Sequence, residues 1–135
     1  NTTARVREAF LSHQVALSAA KRIFPGQWAY TLEQIDFARE CQELSGRGER
    51  ATEEALRCVA ALHHGDDCLL ETLEHYLLDA RMHVTLTAEK MFLHKNTIKY
   101  RLQRIADRLG FVPGELPESM PLFTACALDR LLRGN

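Results

Sequence analysis

Six basic residues crowd into one stretch of this 135-residue chain: Lys90, Lys95, Lys99, Arg101, Arg104 and Arg108, against the single acid Asp107. The stretch carries +5, so the remainder of a chain with net charge −1 carries −6. A cationic block on an acidic body points to a polyanionic partner. Inside the block, Asn96, Lys99, Tyr100 and Gln103 recur at steps of three and four, which places them on one face of a helix. Asn and Gln amides can pair bidentately with adenine edges, and a cation can pair with guanine. These four are the candidate base-reading residues. Lys90, Lys95, Thr97, Arg101 and Arg104 are the candidate phosphate contacts, which set register without reading sequence.

A helical wheel tests this assignment. With Ile98 at zero and about 100° per residue, Leu102, Ile105 and Leu109 fall within about 40° of it and form a buried stripe. Asn96, Gln103 and Tyr100 land at about 160°, 140° and 200°, opposite that stripe, with Lys99 and Arg104 flanking at about 100° and 240°. A protein-docking helix would expose apolar anchors at i, i+3, i+4 and i+7. This outer face offers Asn, Tyr and Gln instead. That contrast ranks duplex DNA ahead of the alternative, an all-helical interaction module that docks an acidic partner through the basic helix.

The elements that must position these residues read as helices almost throughout. Val6, Phe10, Leu17, Ala20 and Phe24 suggest one apolar face on a helix from Thr3 to Phe24, stopped by Pro25-Gly26. Residues 27–30 (Q-W-A-Y) read as either a short strand or an extended connector, with Trp28 as a packing anchor. Thr31 with Gln34 forms a capping box for a helix to about Leu44. Gly46 and Gly48 mark a link, a third helix spans about Glu49 to His63, and Asp66 or Asp67 caps a fourth from Cys68 to Ala80. Thr85 reads as the N-cap of a short helix from Leu86 to Phe92. Leu93-His94 is a tight turn with His94 as a candidate cap, and Lys95 to Leu109 is the basic helix, ended by Gly110. Ser119 and Pro121 open a last helix with Leu122, Ala125, Cys126 and Leu128 or Leu132 inside.

The expected fold is therefore all-α, a helical bundle containing a helix-turn-helix. The expected organisation is an N-terminal helical region (1–45), a linker with a connecting helix (46–65) and a DNA-binding domain (66–135). A hydrophobic fraction of 46% with 26% charged residues suits a globular domain with a real core. No apolar run approaches the ~20 residues of a membrane span. Cys41, Cys58, Cys68 and Cys126 form no C-x-x-C pair and read as reduced, buried thiols of a cytoplasmic protein.

Phe92 to Ile105 (F-L-H-K-N-T-I-K-Y-R-L-Q-R-I) closely resembles the recognition run of PucR/CdaR-type bacterial transcription regulators, which carry a Fis-like helix-turn-helix. Leu69 to Leu77 (L-L-E-T-L-E-H-Y-L) is similar to the helix that precedes it, and Leu109-Gly110 with the late helix resembles the family's ending. The resemblance covers roughly Asp66 to Leu132. Leu86, Thr87 and Lys90 depart from it where the family favours alanine, whereas Phe92 stands where many other helix-turn-helix proteins carry glycine but where the PucR-type pattern tolerates Phe. Ser12 to Ala20 resembles the end of a sensor-side domain. The resemblance and the absence of an initiator Met imply the C-terminal part of a longer regulator, with a small-molecule effector acting through an upstream domain. A single reader offers little interface, so a homodimer is expected, with the N-terminal helices as the contact.

Other residue groups carry weaker chemistry. His63, His64 and Cys68, with Asp66 or Asp67, lack the second ligand pair of a structural zinc site, so no metal is expected. His75, His83, Ser12-His13 and Ser119 assemble no nucleophile–base–orienter set, and Gly46-x-Gly48 is no phosphate loop. Neither catalysis nor a cofactor is expected.

Overall fold

Each helix begins or ends where the local chemistry directs it. The structure, a computed structural model, describes residues 2–63, 65 and 68–133. Helix α1 spans Thr2–Ile23, and Gly26 behind it takes the left-handed φ of 87° that the reversal needs. Helix α2, Leu32–Gly46, starts with the expected capping box: the Thr31 hydroxyl accepts from the Gln34 N–H, and the Gln34 side chain accepts from the Thr31 N–H, both at 3.1 Å. Helix α3, Glu49–Leu56, tightens into a 3₁₀ segment over Arg57–His63. Helix α4, Leu69–Glu74, widens into a π turn over His75–Asp79. Helices α5 (Val84–Met91), α6 (Lys95–Leu109) and α7 (Met120–Arg133) complete the chain. The fold is an all-α bundle with no strand among the described residues.

Helix α7 is the hub of the core. Leu122, Ala125, Cys126, Ala127, Leu128 and Leu131 are all buried, and the helix packs on α1, α2, α3 and α4. Small residues let α1 and α2 approach closely, with Ala16, Ala19, Ala20 and Ile23 on one side and Ala38 and Cys41 on the other. One continuous apolar cluster joins Ile23 and Phe24 to Leu69 and Leu73 of α4, Ile105 of α6 and Leu128 of α7. The side that α6 must face is thus set by a core that includes the N-terminal helices.

Several expectations change on folding. The apolar face of α1 is only partly used: Val6 and Phe10 are 64% and 59% exposed, because α2 packs along the later turns of α1, where the buried stripe is Ala16-Ala19-Ala20-Ile23. Residues 27–30 are a connector rather than a strand, since no partner strand exists among the described residues to share its hydrogen bonds. Trp28 is 98% exposed and anchors nothing, lying in that connector outside the core. Thr85 is not the N-cap of α5. The helix starts earlier, at Val84 after His83, and it is the Thr87 hydroxyl that donates back to the His83 carbonyl at 2.7 Å. Cys68 is exposed, in a left-handed conformation just before α4, and Cys58 is half-buried, whereas Cys41 and Cys126 are buried as expected. In α7 the position turned inward is Leu128, and Leu132 is exposed. Asp66, Asp67 and His64 lie outside the described residues, so the caps and ligands read there do too.

A buried ion network, invisible to sequence periodicity, clamps α1, α4 and α7 together. Arg130 of α7 holds Asp79 through two hydrogen bonds of 2.8 and 2.6 Å and donates to the Ile23 carbonyl of α1 at 2.9 Å. The wide π turn sets Asp79 against Arg130 and, at 2.8 Å, against the His75 ring. Glu74, 1% exposed, bonds Arg133 and faces Arg130 at 3.8 Å. Arg22 reaches the Leu131 carbonyl. Removing a single partner from such a site leaves a buried charge unmatched. Arg130→Met is therefore expected to lower stability by about 3–5 kcal/mol, and pairing it with Asp79→Leu to recover part of that loss, both read from urea denaturation midpoints.

The same network makes stability depend on pH. Burial, and then the neighbouring Asp129 carboxyl, push Glu74 up to about 8 despite Arg133 and Arg130. Against the cost of burial, the Arg130 and His75 hydrogen bonds hold Asp79 down at about 2. The folded chain keeps the Glu74 proton that an unfolded chain releases near 4.5, so this group removes stability as pH rises from 4.5 to about 8. Asp79 acts oppositely, losing its contribution as pH falls from 3.8 towards about 2. Glu74→Gln should flatten the melting temperature across the upper window while leaving the acid limb in place.

Candidate nucleic-acid interface

Two short-range hydrogen-bond arrangements build the turn between α5 and α6. At the end of α5 the chain swings into the left-handed region at Phe92, with φ 56°. The Phe92 N–H is shared between the Ala88 and Glu89 carbonyls, and the Leu93 N–H returns to Ala88 at 3.0 Å. His94 is extended (φ −72°, ψ 144°), and its Nδ1 accepts the Asn96 N–H at 3.0 Å, capping α6. Histidine does here what Ser or Asp does elsewhere, provided Nδ1 carries no proton. Gly110, at φ 87°, ends α6 with its N–H on the Ala106 carbonyl at 2.8 Å.

Helix α6 lies with one face on α4 and α5. Ile98 and Ile105 are fully buried, and Leu102 and Leu109 are half-buried beside them, the stripe the wheel places inside. The opposite face is in solvent. All four candidate base readers, Asn96, Lys99, Tyr100 and Gln103, are exposed along it. Tyr100 is 59% exposed, its hydroxyl accepts from Arg104 Nη1 at 3.1 Å, and the guanidinium lies 5.7 Å from the ring centroid. That stacking holds Tyr100 and Arg104 as a unit. Gln103 donates one amide hydrogen to Asp107 at 3.1 Å, which leaves its carbonyl oxygen outward.

The five candidate phosphate contacts divide by geometry. Lys90, near the end of α5, and Lys95, at the start of α6, are exposed on either side of the turn. Thr97 is half-buried in the first turn of the helix. Arg104 is tied to Tyr100. Arg101 is directed back toward the body, donating to the buried Thr72 hydroxyl of α4 at 3.2 Å. No sequence signal joins residues 29 positions apart, so this tether between α4 and α6 emerges only in three dimensions. The exposure of Phe92, 94% in solvent at the turn, is likewise absent from the apolar pattern, which treats every Phe as core. Among the described residues no group of three His, Cys, Asp or Glu side chains is placed to hold a metal, and no helix is long and apolar enough to cross a membrane.

Comparison with known proteins agrees with this geometry. Residues 69–128, from the start of α4 into α7, match the PucR C-terminal helix-turn-helix domain. This segment is a PucR-type helix-turn-helix domain. It is a DNA-binding, regulatory domain type. The purine catabolism regulatory protein of Bacillus subtilis is 31% identical over 77 residues, which cover 57% of this chain and 14% of that protein. An uncharacterised protein of Mycobacterium tuberculosis is 38% identical over 63 residues, 47% of this chain and 15% of that one. An uncharacterised protein of Haemophilus influenzae is 30% identical over 77 residues, 56% of this chain and 21% of its own length. The matches therefore span about a fifth or less of these curated relatives. No solved structure matches the chain.

Within the PucR-type domain, the His94 cap anchors the end of α6 that carries Asn96. His94→Ala should cost about 1 kcal/mol in urea denaturation, and His94→Asp, which restores an acceptor, should regain most of it.

Proposed function

We propose that this chain binds duplex DNA sequence-specifically as part of a bacterial transcription regulator, with α6 laid in the major groove. The observation that carries the reading is the outer face of α6: Asn96, Lys99, Tyr100 and Gln103 in solvent, opposite the buried Ile98 and Ile105. In this reading Asn96, Lys99, Tyr100 and Gln103 read base edges. Lys90, Lys95, Thr97, Arg101 and Arg104 neutralise or bond phosphates, Arg101 by swinging from Thr72. Residues 66–135 act as the reader, 46–65 as the connection, and 1–45 as the region that pairs two copies, so that two readers meet successive half-sites. The protein works in the cytoplasm, where its DNA is, and catalyses no reaction. A small-molecule effector acts through a region upstream of residue 1.

Fluorescence anisotropy of a labelled duplex at several salt concentrations tests this. Each phosphate contact contributes about −0.9 to the slope of log affinity against log salt. Wild-type binding should weaken steeply with salt, and Lys99→Ala/Arg104→Ala should lower affinity and, through the lost Arg104 phosphate contact, flatten the slope by about 1. A folded wild-type chain that leaves the duplex unbound at low salt would overturn the reading.

A further inference from the structure

Phe92 combines two costs at one residue. Its backbone sits in the left-handed region at φ 56°, which a bulky side chain occupies only under strain, and its ring is 94% exposed. Glycine would meet the same turn geometry without either cost. Among the described residues nothing offsets them: Phe92 is outside the apolar core cluster, and its turn is already held by the backbone hydrogen bonds to Ala88 and Glu89. A strained, solvated aromatic is a reason to look for an external contact.

Its place in the chain identifies that contact. Phe92 lies between Lys90 and Lys95, two exposed cations on either side of the turn, and two residues ahead of the His94 cap. If both lysines grip the sugar-phosphate backbone while Asn96 reaches a base, the Phe92 ring lies at the DNA surface between them. We propose that Phe92 is an affinity-determining residue that seats its ring on apolar groups of the duplex, the 5-methyl of thymine or the carbons of deoxyribose. This rests on the DNA-binding reading above. It adds to that reading a salt-independent apolar contact supplied by the turn rather than by the recognition helix.

The test compares wild type, Phe92→Gly, Phe92→Asn and Phe92→Tyr in the full 135-residue chain, using a labelled mixed-sequence duplex of about 30 base pairs. Gly and Asn both accept the left-handed backbone, so their melting temperatures should stay within about 3 °C of wild type or rise. Their affinity should drop about tenfold, the worth of some tens of Å² of ring taken from water. The salt slope should not change, because no counterion is released by an apolar contact. Tyr, which keeps the ring, should bind within about twofold of wild type.

Repeating the series on a duplex with deoxyuridine in place of thymidine separates the two apolar sources. A penalty that vanishes assigns the thymine methyl, and one that persists assigns deoxyribose. Wild-type affinity in both Phe92→Gly and Phe92→Asn would overturn the proposal while leaving the DNA-binding reading standing. So would a loss that also flattens the salt slope, since the ring would then act only by placing the lysines. A wild-type chain that does not bind the duplex would overturn both.

Discussion

The burial of Ile98 and Ile105 is the constraint on which the working face depends. Two fully buried branched side chains seven positions apart permit only one rotation of α6 about its axis. Turning the helix by a quarter would carry both into water and drive Lys99 or Arg104 into the core, at a cost far above the few kcal/mol that separate folded from unfolded chains. Asn96, Lys99, Tyr100 and Gln103 face outward because those two residues face inward. Arg101 also ties the helix to Thr72 of α4, and the His94 cap holds its first turn.

That constraint is only as firm as the body against which α6 packs. Helix α4 supplies the surface, and α4 is itself held to α7 and α1 by Arg130, Asp79, Glu74 and Arg22. The π turn links the two systems, since it ends α4 and presents Asp79 to the arginine of α7. An ion network of this kind adds directionality that an apolar core lacks, because a buried guanidinium accepts few arrangements of its partners. It also makes the body sensitive to proton activity: burial pushes Glu74 up to about 8, while Asp79 stays ionised down to about 2.

The PucR-type domain was legible in the sequence because its information is local. The run from Phe92 to Ile105 contains its own amphipathic period, its turn and its cap within fourteen consecutive residues. The Thr31–Gln34 capping box was legible for the same reason. Errors arose where a neighbour distant in sequence decides the outcome. Val6 and Phe10 have the spacing of a buried face, yet α2 packs only along the later turns of α1, and no local pattern encodes where a partner helix stops. Trp28 has the residue type of a packing anchor, yet its place in a connector outside the core leaves the indole in water. Thr85 has the residue type of a cap, but the helix begins two residues earlier than expected, at Val84, just after the left-handed pair Arg81 and Met82.

Taken alone, the sequence determined that the chain is helical, that a basic amphipathic helix follows a tight turn, and which side of that helix is polar. These follow from hydrophobic period, turn chemistry and charge, all read over one or two turns of chain. Only the tertiary structure decided which cations are free to approach a ligand and which are already engaged, as with exposed Lys95 and tethered Arg101. It alone revealed the clamp of Arg130 on Asp79 and the solvent position of Phe92. The reason is physical: burial and ion pairing are properties of what lies opposite a residue, and the residues opposite are tens of positions away.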